Sequence, residues 1–400
     1  MISKKINNQL FNIVFFLSFI GFYVVLLLVF NAGNADLSRQ LTIPMRIIIG
    51  ISSILIFVFN FRNRSPYLGW FYCFVLIYIV RIVIDYNAVR YFYISYSELI
   101  FFLFSFVIIP FVGMSKVNYK VINFTKLYNI FLVSALLFSI LSIFMYGRYI
   151  GQVARVSSNT TGESAISPLT LSYCGSLIIG VIIFYLLYVK KINKPIRYLS
   201  LITIALAVIP FFLGASRGSI FAIFFPFFMM AISNLSFKNI LKYIFLFVII
   251  LFLLVYLDGY LGSGLLDRFM GTSEAIESGG SSAIRLEMWN KSLSQFIDFP
   301  FFGDRLNTVG VDYYPHNIYI EVLQKTGIIG GIPFFVLVFK TIKASFNIFK
   351  NHIEYAWIPV IFIQSLMRHM FSGALYNASW FWISMAIVLS LNYYLKKNKK

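Results

Sequence analysis

The chain has 400 residues, of which 60% are hydrophobic and only 12% charged, with a formal net charge of +19 and a mean hydropathy of +0.84. That composition excludes a soluble globular domain. The two cysteines, Cys73 and Cys174, both fall in apolar runs, which leaves no disulfide framework and no paired-cysteine metal motif.

About 20 apolar residues are needed to cross the ~30 Å hydrocarbon core as a helix. Runs poor in charge predict twelve such spans, near residues 11–30, 44–60, 67–84, 98–113, 127–146, 167–189, 198–213, 218–233, 241–257, 316–339, 355–371 and 377–395. The expected fold is therefore an all-α, polytopic membrane bundle. It divides into residues 1–197 with six spans, 198–257 with three spans and an arginine turn, a long loop at 258–315, and 316–400 with three spans and a basic tail.

Charge orients it. Alternate inter-span segments hold twenty of the 33 Lys and Arg residues and a single acid, Glu354, whereas the other segments are balanced. The positive-inside rule places the basic set, with both termini, in the cytoplasm of an inner membrane and the long loop on the outer, periplasmic side. These bases sit in short turns beside the bilayer, so anionic head groups and topogenesis account for them, and no nucleic-acid partner is expected. No internal repeat is visible, which counts against a transporter built from duplicated halves.

The outer face carries the chemistry. Residues 198–235 would span ~57 Å as one helix, so the chain turns at Gly214-Ala215-Ser216-Arg217-Gly218-Ser219. Arg217 then stands at the start of an inward-running helix. Together with the helix dipole it suits a phosphate, or it merely snorkels and anchors a hairpin. The 58-residue loop at 258–315 holds eight of the fourteen acids and a stretch, 283–297, that reads as an amphipathic helix, with Ile284, Met288, Leu293 and Phe296 recurring at three to five residues. Arg285 opens that stretch, either as part of a site or as a charge on a helix lying along the membrane surface. Where the loop ends and the tenth span begins, His316 and Asn317 stand at a second helix N-terminus on the same face as Arg217. A neutral His there can accept a proton, and Asn317 can equally serve as a plain N-cap. Glu321, one turn deeper, faces a wet cavity or pairs with a base such as Arg368. Arg368 and His369 close the eleventh span on the same side. No DxD, HExxH or GxxxxGK[ST] pattern occurs, so neither a metal nor a nucleotide cofactor is expected.

Three ordered segments then stand out: Gly214-Ala215-Ser216-Arg217-Gly218; Arg285-Leu286-Glu287-Met288-Trp289 followed by Pro300-Phe301-Phe302-Gly303; and His316-Asn317-Ile318-Tyr319 leading to Gly327-Ile328-Ile329-Gly330. Together they resemble the O-antigen polymerase and ligase superfamily of integral-membrane glycosyltransferases, over about residues 198–339. The resemblance implies transfer of a glycan from an undecaprenyl-pyrophosphate carrier to a sugar hydroxyl, without metal or nucleotide sugar. It assigns Arg217 and Arg285 to the donor pyrophosphate and His316 to the acceptor hydroxyl, with Asn317 orienting His316 or the acceptor; Glu321, Arg368 and His369 are further candidate substrate-binding residues from their placement at the outer edge.

A polymerase, whose acceptor is another lipid-linked repeat unit and which works with a chain-length regulator, is favoured over a ligase, whose acceptor is lipid A core. The rival from another class is a flippase for lipid-linked oligosaccharides. It would need no cluster of key residues at one face, and it would place charges near the bilayer midplane.

Overall fold

The computed structural model describes residues 2–29, 35–153, 156, 166–233, 237–271 and 280–398. All the regular structure among the described residues is helical, with no strand. Helices α1 (Ile2–Ser18) and α2 (Ile20–Val29) are bent by 65° at their junction. They are followed by α3 (Ala35–Phe59), α4 (Leu68–Asn87), then α5 (Tyr96–Phe102) running through a π segment (Leu103–Ile108) into α6 (Ile109–Met114), and α7 (Phe124–Tyr146). Next come α8 (Pro168–Tyr188), α9 (Lys194–Gly214), α10 (Arg217–Ser233) and α11 (Phe237–Leu261). The long loop contributes α12 (Leu265–Met270) and α13 (Ser281–Asp298), its residues 272–279 lying outside the described set. Three helices complete the chain: α14 (Ile318–Asn351), α15 (Trp357–Arg368) and α16 (Ser379–Lys397).

Ten of the twelve segments read from the sequence as spans overlap a single α-helix, that at 11–30 is divided between α1 and α2, that at 98–113 runs through α5, the π segment and α6, and the amphipathic stretch at 283–297 lies in α13. Among the described residues eight helices are long and apolar enough to cross a membrane, or nine if the bent α1–α2 pair is one span. The rest fall short for local reasons. Helix α10 has 17 residues and α15 only 12, while α16 ends in Lys396 and Lys397.

The bundle is built around α8, α15 and α16, which are buried along most of their length. Trp382 of α16 sits against Phe71, Phe74, Phe111, Phe334 and Phe381, with ring centroids 5.3–6.1 Å away. Its indole N–H donates to the Leu375 carbonyl at 3.0 Å. Several buried hydroxyls are satisfied within their own helices, as when Thr341 donates to the Leu337 carbonyl and Ser345 to that of Thr341. Such bonds let polar residues sit in an apolar bundle. At the other extreme only 11% of the apolar window of α11 is buried. Its exposed Phe245, Val248, Phe252 and Val255 would be penalised in water but suit lipid.

The two ends of α4 mark the two ends of the bundle. Beyond its start, Arg62, Arg64, Lys120 and Lys397 line one cleft of about 350 Å³, so bases from three of the segments grouped by charge do meet. At its far end the long loop is riveted down. Arg81 donates through Nη1 to the Asp304 carbonyl at 2.6 Å and through Nη2 to those of Phe302 and Gly303 at 2.8 and 2.9 Å. Asp85 accepts the Leu306 N–H at 2.7 Å.

That loop fills a break in α14. Gly327 has φ 58° and ψ −159°, a conformation open only to glycine, and interrupts the helix. The groups freed by the break are all engaged by protein. Ile328 and Ile329 donate to the carbonyls of Pro300 and Phe301 at 2.8 and 3.1 Å, the Gln324 carbonyl accepts from Asp304 N, and the Lys325 carbonyl accepts from Arg81 Nε. A Cβ at Gly327 would collide with the Phe301 backbone, and one at Gly303 with that of Lys325. The Pro300-Phe301-Phe302-Gly303 and Gly327–Gly330 segments are thus two halves of one joint, which keeps irregular backbone sealed inside protein.

Candidate functional site

The chain reverses between α9 and α10 through Ala215, which takes the left-handed conformation (φ 38°) at the end of α9. The turn is fixed from α8. Ser172 donates to the Phe211 carbonyl at 2.9 Å and exchanges a hydrogen bond with Ser219 at 2.6 Å, and Ser216 N donates to Ser172 Oγ at 3.3 Å. Arg217 therefore starts α10 on a rigid support.

From there Arg217 enters a cavity of about 380 Å³ whose walls also include Arg268, Arg285, Tyr173, Trp289 and Phe371. The three arginines come from α10, α12 and α13. Arg217 and Arg268 hold each other's segments: Arg217 Nη1 donates to the Arg268 carbonyl, and Arg268 Nη1 to the Ala215 carbonyl, both at 3.2 Å. Helix α12 is itself anchored by Asp258, whose carboxylate accepts the N–H groups of Leu265 and Leu266 at 2.9 and 3.0 Å. On α13, Glu287 is engaged by Lys291 at 2.7 Å. Burial, together with the guanidiniums of Arg217 and Arg285, pulls the Arg268 guanidinium below its ordinary pKa. Three cations around one cavity repel one another, and an anion bound among them would relieve that repulsion.

His316 stands next to this cavity. It too has positive φ (56°), and its ring packs 4.5 Å from that of Tyr314 and 5.4 Å from that of Tyr313. Its Nδ1 is buried without a hydrogen-bond partner. Burial, with the charge of Arg285 adding to it, pushes the imidazole down to about 4, so the ring is neutral near pH 7. Trp289, a wall of the cavity, donates its indole N–H to the Pro315 carbonyl at 2.8 Å, tying α13 to the residue before His316.

The other residues singled out in the sequence are placed differently. Asn317 is the N-cap of α14; its Oδ1 accepts from Tyr319 N and Ile320 N at 3.0 and 3.3 Å. Glu321 is fully buried and lines neither this cavity nor the one beside Arg368. Its partner is Lys325 at 2.5 Å and not Arg368, because the four-residue spacing puts both on one face of α14; its other oxygen accepts Leu375 N at 3.0 Å. Arg368 lies over the rings of Trp380 and Tyr173, 4.4 and 5.5 Å from their centroids. His369 is turned inward, its Nδ1 2.7 Å from the Ser365 carbonyl, and its own carbonyl accepts Ile318 N. Among the described residues no three His, Cys, Asp or Glu side chains gather closely enough to hold a metal ion. Arg268 is the site residue that the sequence reading passed over, since its six-residue helix lies in a Gly-rich loop without periodicity.

The comparison with curated proteins gives no match. Residues 202–335 match the model of a protein family described as O-antigen ligase. That stretch runs from α9 through the arginine cavity and His316 to the broken α14, and over it the chain is similar to this family.

Proposed function

We propose that the protein is a surface-polysaccharide polymerase. It would transfer a glycan from an undecaprenyl-pyrophosphate carrier to a sugar hydroxyl of another lipid-linked repeat unit. The observation that carries this reading is the meeting of Arg217, Arg268 and Arg285 in one cavity beside a neutral His316. In the transfer the acceptor oxygen bonds to the anomeric carbon as the bond from that carbon to the pyrophosphate oxygen breaks. The electron pair leaves with the pyrophosphate, whose charge the guanidiniums stabilise. The acceptor proton passes to the His316 imidazole, and a bound pyrophosphate favours that step by offsetting Arg285.

The proposal includes the membrane arrangement. Adding the bent pair, α10, α15 and α16 to the eight long helices gives twelve crossings, with the cleft of Arg62, Arg64, Lys120 and Lys397 in the cytoplasm and the arginine cavity at the periplasmic face. The positive-inside rule supports this orientation.

The ligase alternative is favoured by one specific observation, the description of the matching family as O-antigen ligase. The two readings share donor chemistry and differ in acceptor. The test is mass spectrometry of products after the purified protein is incubated with a single lipid-linked repeat and no other acceptor. A ladder of lipid-linked multimers supports the polymerase. Unchanged substrate from folded protein removes it, in favour of the ligase if lipid A core restores transfer and of a transporter if it does not.

A further inference from the structure

A second cavity has a volume of about 310 Å³. Tyr314, whose ring packs on His316, forms part of its wall, as do Arg368 and Trp380. Arg368 stands between the two spaces, over Trp380 of the second cavity on one side and over Tyr173 of the first on the other.

The residue that needs explaining is Arg46. It lies in α3, near the end of the apolar window that begins at Gln40, and only 4% of its surface is exposed. Its guanidinium is sandwiched between the rings of Phe106 and Phe22, 3.5 and 4.8 Å from their centroids. Ring faces attract the cation, but they do not satisfy its N–H donors, which point outward in the guanidinium plane. Nε and Nη1 are both buried without a hydrogen-bond partner. Leaving such charged donors unpaired is costly, and an oxyanion in the adjoining cavity would offset the buried charge. The residue lines the second cavity, together with Arg368.

Resting on the polymerase reading, we propose that the second cavity is the acceptor subsite and that it binds the pyrophosphate of a lipid-linked acceptor. The anion lies beside the guanidiniums of Arg46 and Arg368, which both line the cavity. Two features favour a lipid-borne anion. Arg46 sits close to the end of a membrane span, where a carrier's phosphates reside, and Phe22, Phe102 and Phe106 give the cavity an apolar flank suited to the start of a polyprenyl chain. Trp380 offers a face on which a sugar ring can stack. The site thus has two anion positions, one in each cavity.

The test uses the full-length protein in phosphatidylcholine nanodiscs, with undecaprenyl pyrophosphate titrated and counted by native mass spectrometry. Wild type should bind two equivalents, and Arg46→Gln/Arg368→Gln one. Arg217→Gln/Arg285→Gln should lose the other. Arg46→Lys, which keeps the charge but loses the planar guanidinium held between Phe22 and Phe106, should weaken the second equivalent at least tenfold, as should Arg368→Gln alone if the double variant does not fold. A wild type that binds one equivalent, or a double variant that keeps two, overturns the proposal. So does displacement of the second equivalent by equimolar phosphatidylglycerol, which would assign the cavity to bulk anionic lipid. If wild type makes the multimer ladder and any of these results appears, only the second site falls. If no ladder forms and neither equivalent binds, the polymerase reading falls with it.

Discussion

Trp289 and Pro315 are joined by an indole N–H donating to a carbonyl at 2.8 Å, and this bond couples the helix that carries Arg285 to the backbone that carries His316. Nothing else described between α13 and the start of α14 links the two functional groups so directly. Trp289→Phe keeps the ring in the cavity wall and removes the bond. We expect kcat to fall roughly tenfold, the loss of about one hydrogen bond of positioning, with little change in donor KM. Steady-state kinetics on the purified protein reads both, and a selective rise in KM would refute the coupling.

Replacement of the cavity cations should be far more severe. Arg217→Ala, Arg268→Ala, Arg285→Ala and His316→Ala should each lower transfer by on the order of 10²-fold or more. Long-chain polysaccharide would be lost while the protein remains in the membrane. Retained chain length at normal protein level in all four would remove the catalytic assignment.

The low pKa of His316 predicts the shape of the pH profile. In the free enzyme the imidazole stays neutral until the pH falls toward about 4, so the acid limb of kcat/KM should lie well below the usual histidine value of 6.5. Arg285 disfavours the imidazolium, so Arg285→Gln should raise the pKa and shift the residual activity's acid limb upward. A downward shift would contradict this account.

The joint at Gly327 should be intolerant. Gly327→Ala both strains a glycine-only conformation and drives a Cβ into the Phe301 backbone, at a cost of several kcal/mol. Thermal unfolding in detergent should show a Tm many degrees lower, or no folded protein at all. An unchanged Tm would mean the break is not held by the loop.

Glu321 and Lys325 form a fully buried pair. Lys325→Met alone leaves a buried carboxylate unmatched and should destabilise by about 3–5 kcal/mol, whereas Glu321→Gln/Lys325→Met should recover most of that. If the double variant were no more stable than the single, the pair would not be the cause.

The order of the helices was legible in the sequence because apolar run length and charge asymmetry are local properties. The turn at Arg217 was legible for the same reason, since 38 apolar residues cannot form one crossing. What stayed hidden depends on contacts far apart in the chain. Arg81 reads as one charge in a span until its guanidinium is seen on the carbonyls of residues 302–304 and 325. Arg46, likewise, lay inside an expected span, and only its two phenylalanine neighbours and two unpaired N–H groups mark it out. Glu321 was expected to face water or Arg368. Its real partner, Lys325, stands four residues on along the same helix face, a spacing that the sequence shows and that outweighs the more distant Arg368.

The partition formed by Arg368 between the two cavities has a kinetic consequence under the proposed assignment. After each transfer the lengthened glycan hangs from the carrier that entered as acceptor, on the far side of the partition from where a donor must sit. The spent carrier occupies the donor side. Growth therefore cannot proceed by simple threading through a fixed tunnel. Every added unit requires the product to change compartments or leave the enzyme, and the ratio of those two rates sets how many units are joined per encounter.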